Sequence, residues 1–554
     1  MNIEIHTPDG HVFHRTDIGP VRIRDYADIL QKQLPYPILA ARVNHHSRRL
    51  NAWINEDCLL ELLDLRANEG NMIYQNSLVL LFVEAVHHVL GKETSVLVHN
   101  SLSKGLYCTI RPGSVNKAIC KMIEERMLDL VHQGIQFEEI TATEQEMIAF
   151  ATNHGRMDQA RLLNRPAQYL HPHLNRLGDE EEVCFDYLLP DASYLYLFEV
   201  RRYKNGVLLR FPHPLDPSII PPFAEQPILY SAFSEETRWD RIMGIHTAAD
   251  LNMVMKNKEQ ARDLVLLSEA LHEKKIAALA QEIGKREKRI ILISGPSSSG
   301  KTSFARRLCI QLRVLGFQPL YLGTDDYFRE REETPLLPNG KPDFESLRAL
   351  ELDLFNNQMN ALLAGKKVDI PLFDFIQGKK IYGQRVTSLA SHQPLVIEGL
   401  HCLNPQLTAQ IADALKFRIY ISPLTQLNID VHNRIPTTDA RMLRRIVRDA
   451  QFRNYDARTT INTWEDVRQG EDAFIFPFSE AADAFFNSTC LYELAVLKRY
   501  AKKRLEVIDD SCYEYAEARR LLRFLAFFDE FPDDGIIPNN SILREFIGGS
   551  VLVH

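Results

Sequence analysis

Cysteine, tryptophan and long apolar runs are scarce in this chain of 554 residues. The eight cysteines are scattered and form no CxxC pair, which argues against a disulfide framework or a zinc knuckle and is typical of a reduced compartment. The first residues, MNIEIHTPDGHVF, carry charge where a signal peptide needs an apolar run. The most apolar stretch, residues 77–90, is interrupted by Glu84, His87 and His88 and is too short to span a bilayer. We therefore expect a cytoplasmic protein with no membrane partner.

An excess of positive charge is also absent. The 65 Lys and Arg residues are outnumbered by 73 Asp and Glu residues, and the net charge of −8 gives no overall basic field to attract nucleic acid. Hydrophobic residues make up 45% and charged residues 25%, the composition of a soluble globular protein. At roughly 100–200 residues per domain, the length predicts three or four domains.

The N-terminal half predicts two domains. Its first sixty residues alternate like strands around one helix, and Pro8-Asp9-Gly10 is a turn signal between two of them. This ββαββ order predicts a small β-grasp domain at residues 1–64. Mixed helices and strands follow and predict an α+β domain at residues 65–225. Among its predicted elements are a helix at 77–90, a helix at 114–133, and strands at 182–189 and 194–200.

The C-terminal half has a different pattern. A charged helical connector is predicted at residues 226–287. Short apolar runs such as RIILIS (289–294) then alternate with helical stretches, which is typical of a doubly wound α/β domain with a parallel sheet, here at residues 288–492. From about Glu480 the chain is predicted to be helical, and residues 493–554 form a helical C-terminal extension.

One phosphate-binding motif lies in the α/β domain. Residues 295–302, GPSSSGKT, fit G-x-x-x-x-G-K-[ST] between a predicted strand and a predicted helix. This context lets backbone N–H groups and the helix N-terminus hold phosphate oxygens. Lys301 is expected to reach the β- and γ-phosphates of ATP, and the Thr302 hydroxyl to ligate Mg²⁺. The predicted ATP-binding residues are Gly295, Ser297, Ser298, Ser299, Gly300, Lys301, Thr302 and Ser303.

Carboxylates follow two of the predicted strands. Asp325 and Asp326 come after the strand at 319–323, and Glu398 ends the strand at 394–397. Ligands in α/β sheets bind at the carboxyl ends of strands. One acid can accept the proton of an attacking hydroxyl while another holds Mg²⁺, so we predict catalytic roles for Asp325, Lys301 and Glu398, with Thr302 and Glu398 at the Mg²⁺. Asp326 is equally well explained as a residue that caps the following turn.

A stripe of arginines follows further along the chain. If DARMLRRIVRD (439–449) is helical, its four arginines fall at i, i+3, i+4 and i+7 on one face. Guanidinium groups match phosphate oxygens bidentately, so we predict a phosphate-binding lid rather than a solvated basic face. The predicted lid residues are Arg441, Arg444, Arg445 and Arg448.

These motifs resemble the uridine kinase and phosphoribulokinase group of P-loop kinases, in particular the uridine–cytidine kinases. The matching segments, in the family's order, are GPSSSGKTSFA (295–305), TDDYF (324–328), PLFDF (371–375), VIEG (396–399) and DARMLRRIVRD (439–449). The resemblance implies that Asp325 is the catalytic base, that the arginine stripe closes on phosphates, and that Tyr327, Phe373 and Asp374 bind the acceptor. It also implies a homo-oligomer, because members of the family commonly form one.

The sequence departs from that family at the residues that bind the pyrimidine base of the substrate. A Tyr and a His that contact the pyrimidine in the family are replaced here by Phe373 and Gly378. A base-reading site without these polar groups discriminates poorly or reads something else. The segment WEDVRQGEDAFIFPF (464–478) resembles a long-chain bacterial subgroup of nucleoside kinases.

The N-terminal half resembles the TGS and second additional (editing) domains of threonyl-tRNA synthetase. The matching residues are LAARVN (39–44), SLSKGLY (101–107) and the run from Val115 to Leu163. The histidines of the synthetase editing centre are absent from the corresponding segments 74–80 and 184–193, so hydrolytic editing is not expected. A zinc site is not expected either, because the histidines nearby lack cysteine partners; they are His87, His88, His171 and His173.

The sequence thus predicts an ATP- and Mg²⁺-dependent kinase of a small hydroxylated metabolite, most simply a nucleoside of the uridine or cytidine type. Three alternatives stay open. One is a kinase of another acceptor, such as a sugar or a sugar phosphate. Another is an RNA-binding regulator in which ATP acts as a switch, although no dense run of Lys and Arg in the N-terminal half supports it. The third is that the N-terminal half is an inert scaffold or a sensor of a small ligand.

Overall fold

The computed structural model describes residues 1–165, 168–336, 340, 342–375, 377–425 and 427–553, apart from the side chains of residues 236–238, 240 and 241. The chain folds into several domains, one of which contains a parallel sheet with helices packed against it. The predicted ranges 65–225, 288–492 and 493–554 each include residues outside this description.

The first domain is a five-stranded sheet that holds one helix against its inner face. Alternate residues of its first strand, Ile3 and Ile5, are buried, as expected for a strand with one face on a core. The strand order is β2-β1-β7-β4-β5, and β1 pairs antiparallel with β2 but parallel with β7. The β-grasp assignment stays a prediction. The elements are β1 (Asn2–His6), β2 (Val12–Thr16), β3 (Val21–Arg22), α1 (Ile23–Gln31), β4 (Ala40–Val43), β5 (His46–Arg48), β6 (Trp53–Ile54) and β7 (Cys58–Leu63).

The second part of the N-terminal half is built around one long helix and two antiparallel sheets, ordered β10-β11-β12 and β13-β14-β9-β8. Its elements are α2 (Asn68–Leu90), β8 (Ser95–Leu102), β9 (Gly105–Arg111), α3 (Lys117–Gln133), β10 (Glu138–Ile140), α4 (Glu144–Asn153), α5 (Met157–Leu163), β11 (His173–Leu177), β12 (Glu180–Cys184), β13 (Glu199–Tyr203) and β14 (Gly206–Arg210). By length and composition alone α2 is apolar enough to cross a membrane, but 67% of its most apolar 18-residue window is buried inside the protein.

Two strands predicted in this region differ from the structure. The predicted strand at 194–200 is wrong for most of its length, because a 3₁₀ turn occupies Ala192–Tyr194 and β13 begins only at Glu199. The side chain of Asp191 caps that turn by accepting from the backbone N–H of Ser193 at 3.1 Å. The predicted strand at 182–189 is also too long, since β12 ends at Cys184. A local side-chain cap thus replaces a strand where the apolar pattern indicated one.

Three helices connect the two halves: α6 (Pro227–Met243), α7 (Ala248–Met255) and α8 (Lys258–Lys285). The side chain of Asn257 caps α8 by accepting from the backbone N–H of Glu259 at 2.9 Å. The buried face of α8 packs on α9, the helix that follows the phosphate-binding motif, and both helices belong to one apolar cluster. Helix α8, in the predicted connector, therefore supports α9 on the side away from the phosphate-binding motif.

The α/β domain is a parallel sheet of order β16-β21-β15-β22-β23. Every residue of β15 is buried, which is the signature of a central strand covered on both faces. The elements are β15 (Ile290–Ser294), α9 (Lys301–Val314), β16 (Leu320–Gly323), α10 (Leu352–Leu363), β17 (Val368–Asp369), β18 (Leu372–Asp374), β19 (Lys379–Ile381), β20 (Val386–Thr387), β21 (Leu395–Glu398), β22 (Lys416–Ser422), α11 (Thr437–Phe452), α12 (Ala457–Asn462), α13 (Trp464–Phe474) and β23 (Ala484–Asn487).

The C-terminal extension contains α14 (Glu493–Glu506), α15 (Tyr515–Ala526) and α16 (Arg544–Ile547). It shares its apolar cluster with α8, α9, α11 and one face of the parallel sheet. The prediction that the chain is helical from about Glu480 is wrong at β23, which is the edge strand of that sheet. This strand has only four residues, too few for a periodic signal, and it is fixed by pairing with β22.

Candidate functional site: the phosphate loop and its carboxylates

The phosphate-binding motif forms a loop between the buried strand β15 and α9. Gly295 is required by close packing, since a Cβ there would lie 2.0 Å from the backbone oxygen of Ile421 on the neighbouring strand. Gly300 precedes α9 with φ of +82°, in the left-handed region that favours glycine. The N-terminus of α9 therefore points its free N–H groups into the loop, which is the geometry that binds anions.

Lys301, the first residue of α9, folds its side chain back over this loop. Its Nζ donates to the backbone oxygens of Gly295 at 3.0 Å and Pro296 at 3.1 Å. Burial lowers the pKa of Lys301, and the carboxylates of Glu398 and Asp325 oppose that effect. The ammonium group therefore lies among acids and backbone oxygens, at the position from which it can reach a bound phosphate.

The two predicted acids meet at one edge of the sheet because β16 and β21 are parallel neighbours, with Gly323 opposite Glu398. Glu398 accepts from the Thr302 hydroxyl at 3.0 Å and from the Tyr321 hydroxyl at 3.1 Å. Burial and the charge of Asp325 raise the pKa of Glu398 to about 7. Burial also raises the pKa of Asp325, and Lys301 opposes that rise. Each acid thus makes the other harder to ionise.

These residues fit a Mg²⁺ ion. The hydroxyl of Thr302 and the carboxylate of Glu398 are hard oxygen ligands already within hydrogen-bond distance of each other. The mutual repulsion of Glu398 and Asp325 is the kind of strain that a divalent cation relieves. When bound, the ion would neutralise charge on phosphate oxygens.

The predicted arginine stripe lies on α11 and faces the phosphate loop. Arg441 donates through Nε to the backbone oxygen of Ser297 at 3.0 Å, and Arg445 donates to the Ser297 hydroxyl at 3.0 Å. Arg444 donates to the backbone oxygen of Ser298 at 3.3 Å. Arg448 lies one turn further along, where burial lowers its pKa to about 10. The structure therefore brings three of the four predicted arginines into direct contact with the loop.

Two of these arginines have permanent protein partners. Arg441 and Arg444 are fully buried, and they form ion pairs with the buried carboxylates of Glu471 and Glu493 respectively. Arg445 and Arg448 instead share Asp449 on their own helix, at 3.3 and 3.5 Å. Arg441 and Arg444 thus attach α11 to the loop. Arg445 and Arg448 share a single carboxylate, so they are better placed to bind an anionic ligand.

Three carboxylates that the sequence did not single out also reach this site. Glu471 accepts from the backbone N–H of Ser297 at 2.9 Å. Glu545, on α16, accepts from the backbone N–H of Ser303 at 3.1 Å and from its hydroxyl at 2.7 Å. Burial and the charge of Glu471 raise the pKa of Glu345 to about 7. The sequence indicated these carboxylates only indirectly: the arginine stripe, if buried, requires acidic partners.

The predicted acceptor residues lie on the β16 side of the loop. Tyr327 is fully buried, and its hydroxyl donates to the Gln358 side chain at 2.9 Å. Phe373 belongs to an aromatic group with Phe328 and Phe375, whose ring centroids lie 5.1–6.2 Å apart. Asp374 precedes the turn of the β18–β19 hairpin and accepts from the backbone N–H of Gln377 at 3.0 Å. Asp374 is half-buried on this side, whereas Phe373 and Tyr327 are buried.

The backbone conformation at Gly378 explains why this chain has no histidine at that position. Its φ is +69°, and a Cβ there would lie 2.7 Å from the Cβ of Arg331. The backbone of Gly378 is also bonded on both sides, donating to the Asp374 oxygen at 2.7 Å and accepting from the N–H of Arg331 at 2.9 Å. A histidine at this position would therefore be strained.

A cluster of three side chains that could in principle bind a metal lies elsewhere in the described residues. Ligand atoms of Glu269, His272 and Cys490 come within 4.8 Å of one another in the core. Glu269 already accepts from Arg307 at 3.2 Å and from the Tyr492 hydroxyl at 3.1 Å, and its pKa is lowered. We therefore assign this group to a buried hydrogen-bond network and not to a metal site.

The fold and the loop together define a P-loop α/β domain, a class in which backbone N–H groups and one lysine hold phosphate. The family profile described as the phosphoribulokinase and uridine kinase family matches residues 290–494. This C-terminal region is therefore a domain of that family. The TGS-like and editing-like resemblance of the N-terminal half stays a prediction.

Known proteins align with part of this chain. A uridine kinase of Deinococcus deserti is 24% identical over 195 residues, which cover 35% of this chain and 84% of that protein. A uridine kinase of Chloroflexus aurantiacus is 26% identical over 199 residues, covering 36% and 85%. Among solved structures, D-glycerate 3-kinase from Cryptococcus neoformans is 14% identical with a TM-score of 0.19, and the match covers 48% of this chain and 87% of that one. That score is too low to compare the folds further.

Proposed function

We propose that this protein is an ATP- and Mg²⁺-dependent kinase that phosphorylates a hydroxyl group of a nucleoside of the uridine or cytidine type. The observation that carries the proposal is the convergence of Lys301, Asp325 and Glu398 at one edge of the parallel sheet, beside the N-terminus of α9. The family of residues 290–494 supports it. Uridine kinases are among the relatives of this region.

The reaction follows from these positions. The phosphate loop, Arg445 and Arg448 hold the phosphates of ATP, and Asp325 accepts the proton of the acceptor hydroxyl. The hydroxyl oxygen then forms its bond to the γ-phosphorus as the bond from that phosphorus to the bridging oxygen breaks, and ADP leaves. Thr302 and Glu398 would hold a Mg²⁺ ion, which would neutralise charge on the phosphates when bound.

A nucleoside acceptor is favoured by the aromatic residues around Phe328, which lies three positions after Asp325 in the chain. Phe375 and Phe344 are exposed, at 59% and 46%, and both lie beside Phe328 with ring centroids 6.2 Å apart. Exposed rings of this kind can stack on a planar base without reading its edge by hydrogen bonds. Stacking of this type suits a site in which Phe373 and Gly378 replace the family's Tyr and His.

The test is ADP release from ATP and Mg²⁺ with a panel of acceptors: uridine, cytidine, adenosine, guanosine, ribose, ribose 5-phosphate, inositol and a blank without acceptor. We expect turnover with a pyrimidine nucleoside. Loss of the general base in Asp325→Asn should lower kcat by roughly 10²–10⁴-fold, and Lys301→Ala should also abolish turnover. Asp353→Asn, at an exposed acid in the first turn of α10, is the matched control and should keep full activity.

The panel separates the alternatives. Turnover with ribose or a sugar phosphate alone would support a kinase but exclude a nucleoside as its acceptor. No turnover above the blank would refute the kinase, and a salt-dependent shift of labelled RNA in the presence of ATP would then support the RNA-binding regulator. Phe375→Ala should raise the KM for a nucleoside, whereas Trp53→Ala, at an exposed aromatic residue of the first domain, should not.

A further inference from the structure

A cavity lies where the N-terminal half meets the α/β domain. Its volume is about 90 Å³, and its walls come from α2, β8, β9, the segment leading into α11, and α15. Apolar side chains make up much of the wall, among them Val79, Val98, Phe185 and Phe524. It is separate from the phosphate loop, whose residues do not line it.

The walls are held together by fixed hydrogen bonds across the two halves. Asn428 donates through its side chain to the backbone oxygen of Val98 at 2.8 Å, and the N–H of Val98 donates to the oxygen of Val431 at 3.0 Å. His432 contacts the Glu182 carboxylate at 2.7 Å. The cavity is therefore preformed, as small-molecule sites usually are.

Several polar groups around this cavity are left without partners. Within the described part of the chain, the guanidinium group of Arg434 has no hydrogen bond and no ion pair, and the side-chain amides of Gln75 and Asn76 have none either. Nε of Arg523 is buried and likewise has no hydrogen-bond partner. By contrast, the Asp439 carboxylate accepts from Arg520 at both oxygens, at 2.7 and 2.8 Å. Arg434, Gln75 and Asn76 are half-exposed, whereas the unpaired Nε of Arg523 is buried and is costly to leave without a partner. A ligand in the cavity could bind to all four groups.

The charges around the cavity favour an anion. Three guanidinium groups line it, those of Arg434, Arg520 and Arg523, against the carboxylates of Asp186 and Asp439. Arg520 is paired with Asp439, and Arg523 lies 3.8 Å from Asp186. Arg434 forms no ion pair within the described residues, although the charge of Asp439 still acts on it. A guanidinium group matches a carboxylate bidentately.

We propose that this cavity binds a small organic carboxylate, with its carboxylate on Arg434, its polar substituents on Gln75 and Asn76, and its carbon body against the apolar wall. The cavity lies well below the roughly 300 Å³ at which sites for drug-sized ligands begin, so a nucleotide does not fit. The proposal is independent of the kinase reaction, since none of these residues takes part in phosphate binding.

The experiment is ligand-observed saturation-transfer NMR on the full-length protein without ATP, using acetate, butyrate, 4-methylpentanoate, benzoate, inorganic phosphate and the neutral butyramide. We expect at least one carboxylate to bind and butyramide not to bind. Arg434→Gln should weaken that binding at least about tenfold. Arg262→Gln, at an exposed arginine of α8, is the matched control and should leave it unchanged.

A second variant keeps the test decisive if Arg434→Gln unfolds the seam. Asn76→Leu fills the cavity with an apolar side chain and leaves Arg434 in place, so it should abolish binding while the thermal midpoint of unfolding stays near that of the wild type. The proposal is overturned if no carboxylate binds the wild-type protein, if butyramide binds as well as butyrate, if phosphate alone binds, or if a folded Arg434→Gln or Asn76→Leu variant binds like the wild type.

Discussion

Glu545 occupies a position that the phosphate loop offers to an anion. Its carboxylate accepts both the backbone N–H and the hydroxyl of Ser303, in the first turn of α9. In a P-loop, N–H groups at this helix N-terminus bind phosphate. A nucleotide that uses the N–H of Ser303 must therefore displace Glu545, or share the site with its charge.

Removing this carboxylate should favour ATP. We expect Glu545→Ala to lower the Kd for ATP by up to about tenfold, because the competing charge-assisted hydrogen bonds are lost. Isothermal titration with a non-hydrolysable ATP analogue measures the effect. Glu530→Ala, at an exposed acid before α16, is the control. A Kd unchanged or raised in Glu545→Ala would show that Glu545 does not compete with ATP.

Sequence patterns at single residues were informative where the chemistry is local. The glycines and Lys301 of the phosphate loop follow from one contiguous motif, and Asp325 and Glu398 follow from the ends of two strands. Glu471 and Glu545 could not be predicted in the same way, because they contact Ser297 and Ser303 across 174 and 242 residues. No spacing rule links residues so far apart in the chain.

On the scale of elements, α11 is the connection between the phosphate loop and the helices around it. Its buried guanidinium groups are paired on one side with the loop and on the other with α13 and α14. A buried pair is costly to break, because the partner that remains keeps its charge without water. The position of α11 over the loop thus depends on acids that lie on other helices.

Glu471→Ala is expected to destabilise the protein by about 3–5 kcal/mol, since it leaves Arg441 buried without an ion-pair partner at that position. The free energy of unfolding from urea titration measures this loss. Glu465→Ala, at an exposed acid in the first turn of the same helix α13, should change it by less than about 0.5 kcal/mol. Equal effects of the two substitutions would contradict the structural role of Glu471.

Elements were predictable when a periodic run was long enough. The sequence indicated the helix α9 and the strands β15, β16 and β21, and the structure contains all four, with the strands close to their predicted bounds. The edge strand β23 and the 3₁₀ turn at Ala192–Tyr194 were not predicted. Both are short, and both depend on a partner outside the local sequence: β22 for the strand, and the capping side chain of Asp191 for the turn.

On the scale of the whole molecule, the N-terminal half and the α/β domain are joined through a buried charge network. His432 lies against Glu182, which also pairs with Arg156 at 2.9 Å, and Asp430 and Gln159 complete the surroundings. Burial lowers the pKa of His432, but the charge of Glu182 outweighs burial and the net shift is upward. For Glu182, burial raises the pKa, but His432 and Arg156 outweigh it and the net shift is downward.

These shifts give a pH dependence of stability. A histidine whose pKa is higher in the folded state contributes fully below its unfolded pKa of about 6.5, and its contribution is lost as pH rises through the folded value. We therefore expect the free energy of unfolding to fall as pH rises above about 6.5, by more in the wild type than in His432→Gln. Urea titrations across this range measure it, with His88→Gln, at an exposed histidine of α2, as the control. Identical slopes in the wild type and His432→Gln would reject the role of this pair.

The contact between Ser303 and Glu545 also has a consequence for biosynthesis. The two residues are 242 positions apart, so at roughly 5–20 residues per second a ribosome adds Glu545 about 10–50 s after Ser303. During this interval β15 and α9 exist without the α16 carboxylate that later receives the N–H of Ser303, and β22 and β23 are added only part of the way through it. The nascent chain therefore passes through a stage in which its anion-binding loop is open to solvent, and closure by Glu545 is among the last contacts to form.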